Sequence, residues 1–206
     1  MALDSSGNSY HATLVSLDPS TAWATQGRLG GALETKGAGY ASVPNLARID
    51  AIETQVSLSA WVYLDDPGAI VDYATAASRQ IRNTLQQHYH LALNQQAKPS
   101  FFANPQTPMD SVVQPLGPTA VTTKQWTHLA GTYDGTVARL FLNGSMVASA
   151  TVSGTFAKDT TPFLLGANGN GDGVSERFPG RIDEILLYNR ALTSSEVAKL
   201  ATAISF

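Results

Sequence analysis

Two closely spaced hairpin turns limit what this chain can fold into more than any other feature. Asp134-Gly135 follows the run Trp126 to Tyr133, and Asn143-Gly144 follows Val137 to Leu142. Met146 to Val152 returns after the second turn. Two-residue Asp-Gly and Asn-Gly turns take positive φ at both central positions and match the twist of antiparallel strands. The stretch predicts a three-stranded antiparallel meander, which fixes the sheet type around it.

The rest of the chain repeats this grammar. Val56, Leu58, Ala60, Val62 and Leu64 alternate with period two and share one face of a strand. His88 to Asn94, Ser100 to Ala103, Pro162 to Gly166 and Gly180 to Tyr188 read as further strands, and residues 30–44 as a hairpin. Residues 75–87 fit either a long loop or a short helix. Only the C-terminal end reads clearly as helix: Thr193 is an N-cap, Glu196 completes a capping box, and Val197, Leu200 and Ala201 share a face. No linker or composition shift divides residues 1–206, so the pattern predicts a single all-β sandwich with a short C-terminal helix.

Composition excludes several function classes. Charged residues make up 14% of the 206, against roughly 25% in an average domain. Thirteen basic and 16 acidic residues give a net charge of −3, and no basic cluster exceeds two residues, so no nucleic-acid footprint is present. No apolar run reaches the roughly 20 residues of a membrane span. Zero cysteines remove disulfides, thiolate nucleophiles and cysteine-held zinc together. Residues 1–7 have neither the basic nor the apolar region of a signal peptide, which leaves secretion as part of a longer precursor.

Three ordered segments carry a family resemblance: Asp4-Ser5-Ser6-Gly7-Asn8, Trp126 to Gly135 continuing to Gly144, and Phe178-Pro179-Gly180-Arg181-Ile182-Asp183-Glu184-Ile185 with Leu187 to Thr193. Together they resemble the laminin-G-like, concanavalin A-like jelly-roll domains of bacterial extracellular proteins. The resemblance implies a jelly roll of two antiparallel sheets and an extracellular or cell-surface setting. It also implies a structural Ca²⁺, with Asp4 and Asp183 as side-chain ligands and Asn8 joining by side chain or carbonyl; the alternative is an Asx-turn at Asp4 and a hydrogen-bonded Asp183. Family members usually carry a further strand before the first motif, and only three residues precede Asp4 here. An unfilled strand position predicts self-association or pairing with another chain.

The fold hosts lectins, adhesion modules, glycosidases and lyases, so the residues must choose. Glycosidase work needs two carboxyls across a cleft, which on a strand means acids at i and i+2 or i+4. None of the five glutamates is paired that way, and Asp183 with Glu184 should point to opposite faces of a regular strand. No Gly-x-Ser-x-Gly elbow occurs. Asn168 to Gly173 resembles half of an EF-hand loop but has Pro179 where the acid belongs, and reads as a turn.

The segment from Tyr73 to Asn104 holds the richest polar set. Tyr73, Arg79, Arg82, His88 and His90 are the expected ligand-binding residues, supplying an aromatic face, two cations and two imidazoles on one strand face. The leading expectation is a non-catalytic carbohydrate-binding or adhesion module that takes a glycan. The alternatives are a polysaccharide lyase using Arg79, Arg82, His88 and His90, and a structural or protein-interaction module with no small ligand. Trp61 and Trp126 lie in periodic strands and read as packing residues, whereas Trp23 sits in a polar segment and should be exposed.

Overall fold

A computed structural model describes residues 1–44, 47–82, 87–105, 113–158, 160–170 and 173–203. In chain order the elements are β1 (Thr13–Val15), β2 (Trp23–Ala24), β3 (Ala32–Glu34), β4 (Tyr40–Val43), α1 (Ala47–Asp50), β5 (Val56–Leu64), β6 (Tyr73–Arg82), β7 (Gln87–Asn94) and β8 (Pro99–Ala103). They continue with β9 (Trp126–Tyr133), β10 (Val137–Leu142), β11 (Ser145–Thr151), β12 (Phe163–Leu165), β13 (Asn168–Asn170), β14 (Gly173–Ser175), β15 (Gly180–Tyr188) and α2 (Ser194–Thr202).

Among the described residues the strands form two sheets. One has seven strands in the order β11-β10-β9-β5-β15-β3-β2. The other has eight, in the order β1-β4-β12-β6-β13-β14, with β7 and β8 added beyond β6. Every pairing is antiparallel except that of β13 with β6. The expected meander is β9-β10-β11, and Asn143 and Gly144 both take positive φ at its second turn.

The core lies between the sheets. Val56, Leu58, Ala60, Val62 and Leu64 of β5 face Leu91, Leu93 and Phe101 of the opposite sheet in one apolar cluster. The layers meet tightly at Gly131, where an added Cβ would lie 2.1 Å from the Phe101 ring. The sequence therefore places its smallest residue on β9 where the partner sheet places a ring. The capping box forms as expected, and α2 lays Val197 and Leu200 on Ala130, Phe141 and Tyr188, on the outer face of the seven-stranded sheet.

Three expectations need correction. Residues 75–82 are neither loop nor helix: they belong to β6, a strand between β7 and β12. Its run of Ala and Arg has good helix propensity, which the pairing on both sides overrides. The expected hairpin across residues 30–44 does not exist, because β3 pairs with β15 and β2 while β4 pairs with β1 and β12. The chain crosses from one sheet to the other there. Asp183 and Glu184 do not alternate as in a regular strand, because a bulge between Asp183 and Leu186 puts Glu184 at φ 47°. At the N-terminus, Ala2 and Ala12 exchange backbone hydrogen bonds of 2.8 and 2.9 Å.

Gly131→Ala should overpack the interface and lower stability by about 1–3 kcal/mol or more, read as a lower urea midpoint with an unchanged slope.

Candidate functional site

The outer face of the seven-stranded sheet is built in rows across β15, β5 and β9. Register places Tyr188, Ser57 and Thr132 in one row, Leu186, Ser59 and Ala130 in the next, then Asp183, Trp61 and His128, and finally Arg181, Tyr63 and Trp126. These are the odd-numbered positions of β5, opposite in parity to its core residues. α2 covers the end of the face at Ala130, Phe141 and Tyr188. The loop after β2 covers the third row, where the Arg28 guanidinium lies over the Trp61 ring at 4.4 Å from its centroid.

The last row stays open. Tyr63 and Trp126 are both half-buried, with ring centroids 5.5 Å apart and planes tilted by 59°. Arg181 lies over Tyr63 at 4.8 Å and donates from Nε to Glu34 at 3.1 Å. Lys36 reaches the same carboxylate at 2.9 Å, and the two cations hold Glu34 below the usual carboxylate range. The result is a pair of accessible aromatic rings edged by an arginine, a lysine and a carboxylate. Flat rings stack on apolar sugar faces while the charged edge meets hydroxyls.

Asp183 and Gly27 fix the covering loop. Asp183 Oδ2 accepts from the backbone N–H of Arg28 at 2.7 Å and of Leu29 at 3.1 Å, and Oδ1 from the N–H of Glu184 at 3.0 Å. A Cβ on Gly27 would lie 2.6 Å from that carboxylate. Burial raises the pKa of Asp183 against the opposing pull of these donors. Burial, together with the charge of Asp183, raises that of Glu184. Beneath, His128 is fully buried, bonds Ser59 through Nε2 at 2.8 Å and meets Trp61 edge-on at 5.3 Å. Burial pushes its pKa down to about 4.

The expected ligand residues lie on the other sheet. Arg79 is fully buried: Nε donates to the Thr161 carbonyl at 3.3 Å and a terminal nitrogen pairs with Asp50 at 2.9 Å. It ties β6 to α1. His88 and His90 are also buried. His90 bonds Thr75 through Nε2 at 2.7 Å, lies 3.6 Å from Glu176 and stacks on Phe102 at 4.8 Å. Tyr73 alone is half-exposed, edge-on to His90 and Phe102 and accepting from Gln114 at 3.3 Å. The backbone of Arg82 ends β6, and its side chain lies outside the described residues. The structure thus brings Tyr73 and His90 together, and burial takes Arg79, His88 and His90 away from a surface ligand.

Asp4 and Asn8 share Ser6, and each of the proposed calcium ligands is engaged by hydrogen-bond donors. Asp4 accepts from the N–H groups of Ser6 and Tyr10 at 2.9 Å each and from Ser6 Oγ at 2.8 Å. Asn8 Oδ1 accepts from Arg48 at 2.7 Å. Asp183 is held by the loop donors already described. A hard cation wants converging oxygens, and these groups are instead ringed by N–H and O–H donors. Among the described residues, no three His, Cys, Asp or Glu side chains are grouped to hold a metal. The donor set does not fit Ca²⁺, and the Asx-turn alternative describes Asp4.

Comparison with known proteins decides the family. A family model described as the concanavalin A-like lectin/glucanases superfamily matches residues 35–198. The chain belongs to this superfamily. Among solved structures it is similar to domain 4 of AbnA, a GH43 extracellular arabinanase from Geobacillus stearothermophilus, in complex with arabinotriose. That match has TM-score 0.73 and 24% identity over 96% of this chain and 91% of that one. A second is the CBM40 of the Ruminococcus gnavus IT-sialidase bound to α2,3 sialyllactose, with TM-score 0.62 and 19% identity over 75% and 85% of the two chains. Both likenesses establish the concanavalin A-like fold. A curated relative, mouse (Mus musculus) pappalysin-1, is 36% identical over 78 residues, 35% of this chain, and the match spans 5% of that relative's length.

Trp61 and Trp126 are site residues that sequence reasoning assigned to packing, and Tyr63 is one to which it gave no role. The signal was available: the same alternation that put Val62 and Leu64 inside put Trp61 and Tyr63 outside. Which face stays uncovered depends on α2 and the loop after β2, which periodicity does not report.

His128 yields a pH prediction. The unfolded histidine takes up its proton near pH 6.5 and the folded one near pH 4, so stability falls as pH drops through that window. The loss should be about 3 kcal/mol, and His128→Asn should remove that part of the slope in urea titrations at pH 7 and pH 4.5.

Proposed function

We propose that the chain is a non-catalytic carbohydrate-binding module of a larger extracellular protein, and that glycans lie on the open row of Tyr63, Trp126 and Arg181. The carrying observation is the half-exposed aromatic pair with its charged edge on a rigid sheet. The complexes of the two similar domains with arabinotriose and sialyllactose support the same reading. Rigid presentation lowers the ordering cost of binding, and such single sites are weak enough to work through neighbouring copies.

The lyase alternative loses its support. It needs an exposed base and a cation beside it; Arg79, His88 and His90 are buried, and the Arg82 side chain lies outside the described residues.

A glycan array comparing the native chain with Trp126→Ala and Tyr63→Ala tests the reading. Each truncation should weaken binding by about 2 kcal/mol, roughly thirtyfold, while circular dichroism stays native. Binding undiminished in both variants would move the site elsewhere.

Calcium is not part of this reading. A bound ion at a hundred times its dissociation constant would add about 2.7 kcal/mol and raise Tm by several degrees. Melting in calcium and in chelator should coincide; a calcium-dependent rise would restore a cation site.

A further inference from the structure

Arg28 differs from four of the other arginines. Arg79, Arg139, Arg181 and Arg190 each hold a carboxylate, on Asp50, Asp134, Glu34 and Glu196. The half-buried Arg28 forms no such ion pair, although its charge acts on the neighbouring Asp183 carboxylate. Among the described residues its hydrogen bonding is limited to its backbone N–H on Asp183, and its charged end rests on Trp61. A planar fork seated on an indole is held in orientation by cation–π attraction, with its N–H edge left for a partner. The loop that carries it is pinned by Asp183 through the N–H groups of Arg28 and Leu29, and Gly27 has no room for a side chain. The fork is therefore prepared before any ligand arrives.

We propose that Arg28 is a specificity-determining residue of this face and that the ligand is a sugar bearing a carboxylate. The inference rests on the proposed carbohydrate-binding reading and deepens it. The carboxylate would meet the Arg28 fork in two parallel N–H···O bonds, the geometry for which guanidinium is suited. The sugar ring, or its neighbour in the chain, would lie along the adjacent row on Tyr63 and Trp126, one strand repeat away on β5. The nearby acids have partners besides Arg28, although Asp183 also interacts with its charge. Asp183 is occupied by three backbone donors, and Glu34 is shared between Lys36 and Arg181.

The test is a binding titration of the whole chain against uronate-bearing and sialate-bearing oligosaccharides, each beside its carboxyl-reduced counterpart, which keeps the ring and removes the charge. The native chain should prefer at least one acid over its reduced partner by about tenfold or more, the worth of a charge-assisted pair. Arg28→Gln should abolish that preference, whereas Arg28→Lys should restore only part of it. Trp126→Ala should weaken acid and reduced forms alike. The uronate and sialate arms show which acidic sugar fits. Equal binding of acid and reduced forms, or an acid preference that survives Arg28→Gln, overturns the role of Arg28. If Trp126→Ala still weakens binding in that case, the carbohydrate site itself stands. If no sugar binds, both proposals fail.

Discussion

The alternation of β5 is the constraint on which the rest depends. Val56, Leu58, Ala60, Val62 and Leu64 close the core, and the residues between them cannot avoid the opposite face. That second face carries Ser57, Ser59, Trp61 and Tyr63. A strand at the centre of a seven-stranded sheet buries most of both sides. Small hydroxyl residues suit the part beneath a helix, and large aromatics suit the part near the open end.

Coverage then divides the face. α2 seals one end with Val197 and Leu200, anchored by a capping box and by Ser57, which accepts the Leu192 N–H at 2.8 Å and donates to the Arg190 carbonyl at 2.8 Å. The loop after β2 seals the middle through Asp183. The bulge in β15 absorbs one residue at Glu184 without disturbing the inward set, since Ile182, Ile185 and Leu187 all pack on the core. Bulges re-aim side chains where a sheet meets a ligand or a loop, and this one sits beside the loop that presents Arg28. Among the described residues, the row of Arg181, Tyr63 and Trp126 is left half-exposed beyond both covers. The opposite sheet uses its polar residues differently: Arg79, His88 and His90 are buried and serve the fold.

Most of the fold was legible in the sequence, because Asp-Gly and Asn-Gly turns, period-two runs and a capping box are local signals. β6 was not, because an alanine-rich strand owes its form to partners on both sides. The false hairpin across residues 30–44 failed for a similar reason: adjacency in sequence does not reveal that the chain changes sheets. The site was half legible. A segment rich in Arg and His drew attention by chemistry alone, yet burial decides whether such groups serve a ligand or the core. Parity implies an outer position for Trp61 and Tyr63, but their accessibility depends on elements more than 30 residues away in either direction. The Asp4 and Asp183 carboxylates show the same limit, since the backbone donors that each accepts are not visible in the motif.

The most direct test of the central claim uses the three tryptophans as reporters. Trp126 lies on the open row, Trp61 lies under Arg28, and Trp23 is exposed on the edge strand β2. The chain labelled with 5-fluorotryptophan should be followed by fluorine NMR during titration with arabinotriose, sialyllactose and a uronate trisaccharide. The account predicts that a sugar that binds shifts the Trp126 resonance most, Trp61 less and Trp23 not at all. A bound sugar that leaves Trp126 unmoved would contradict it.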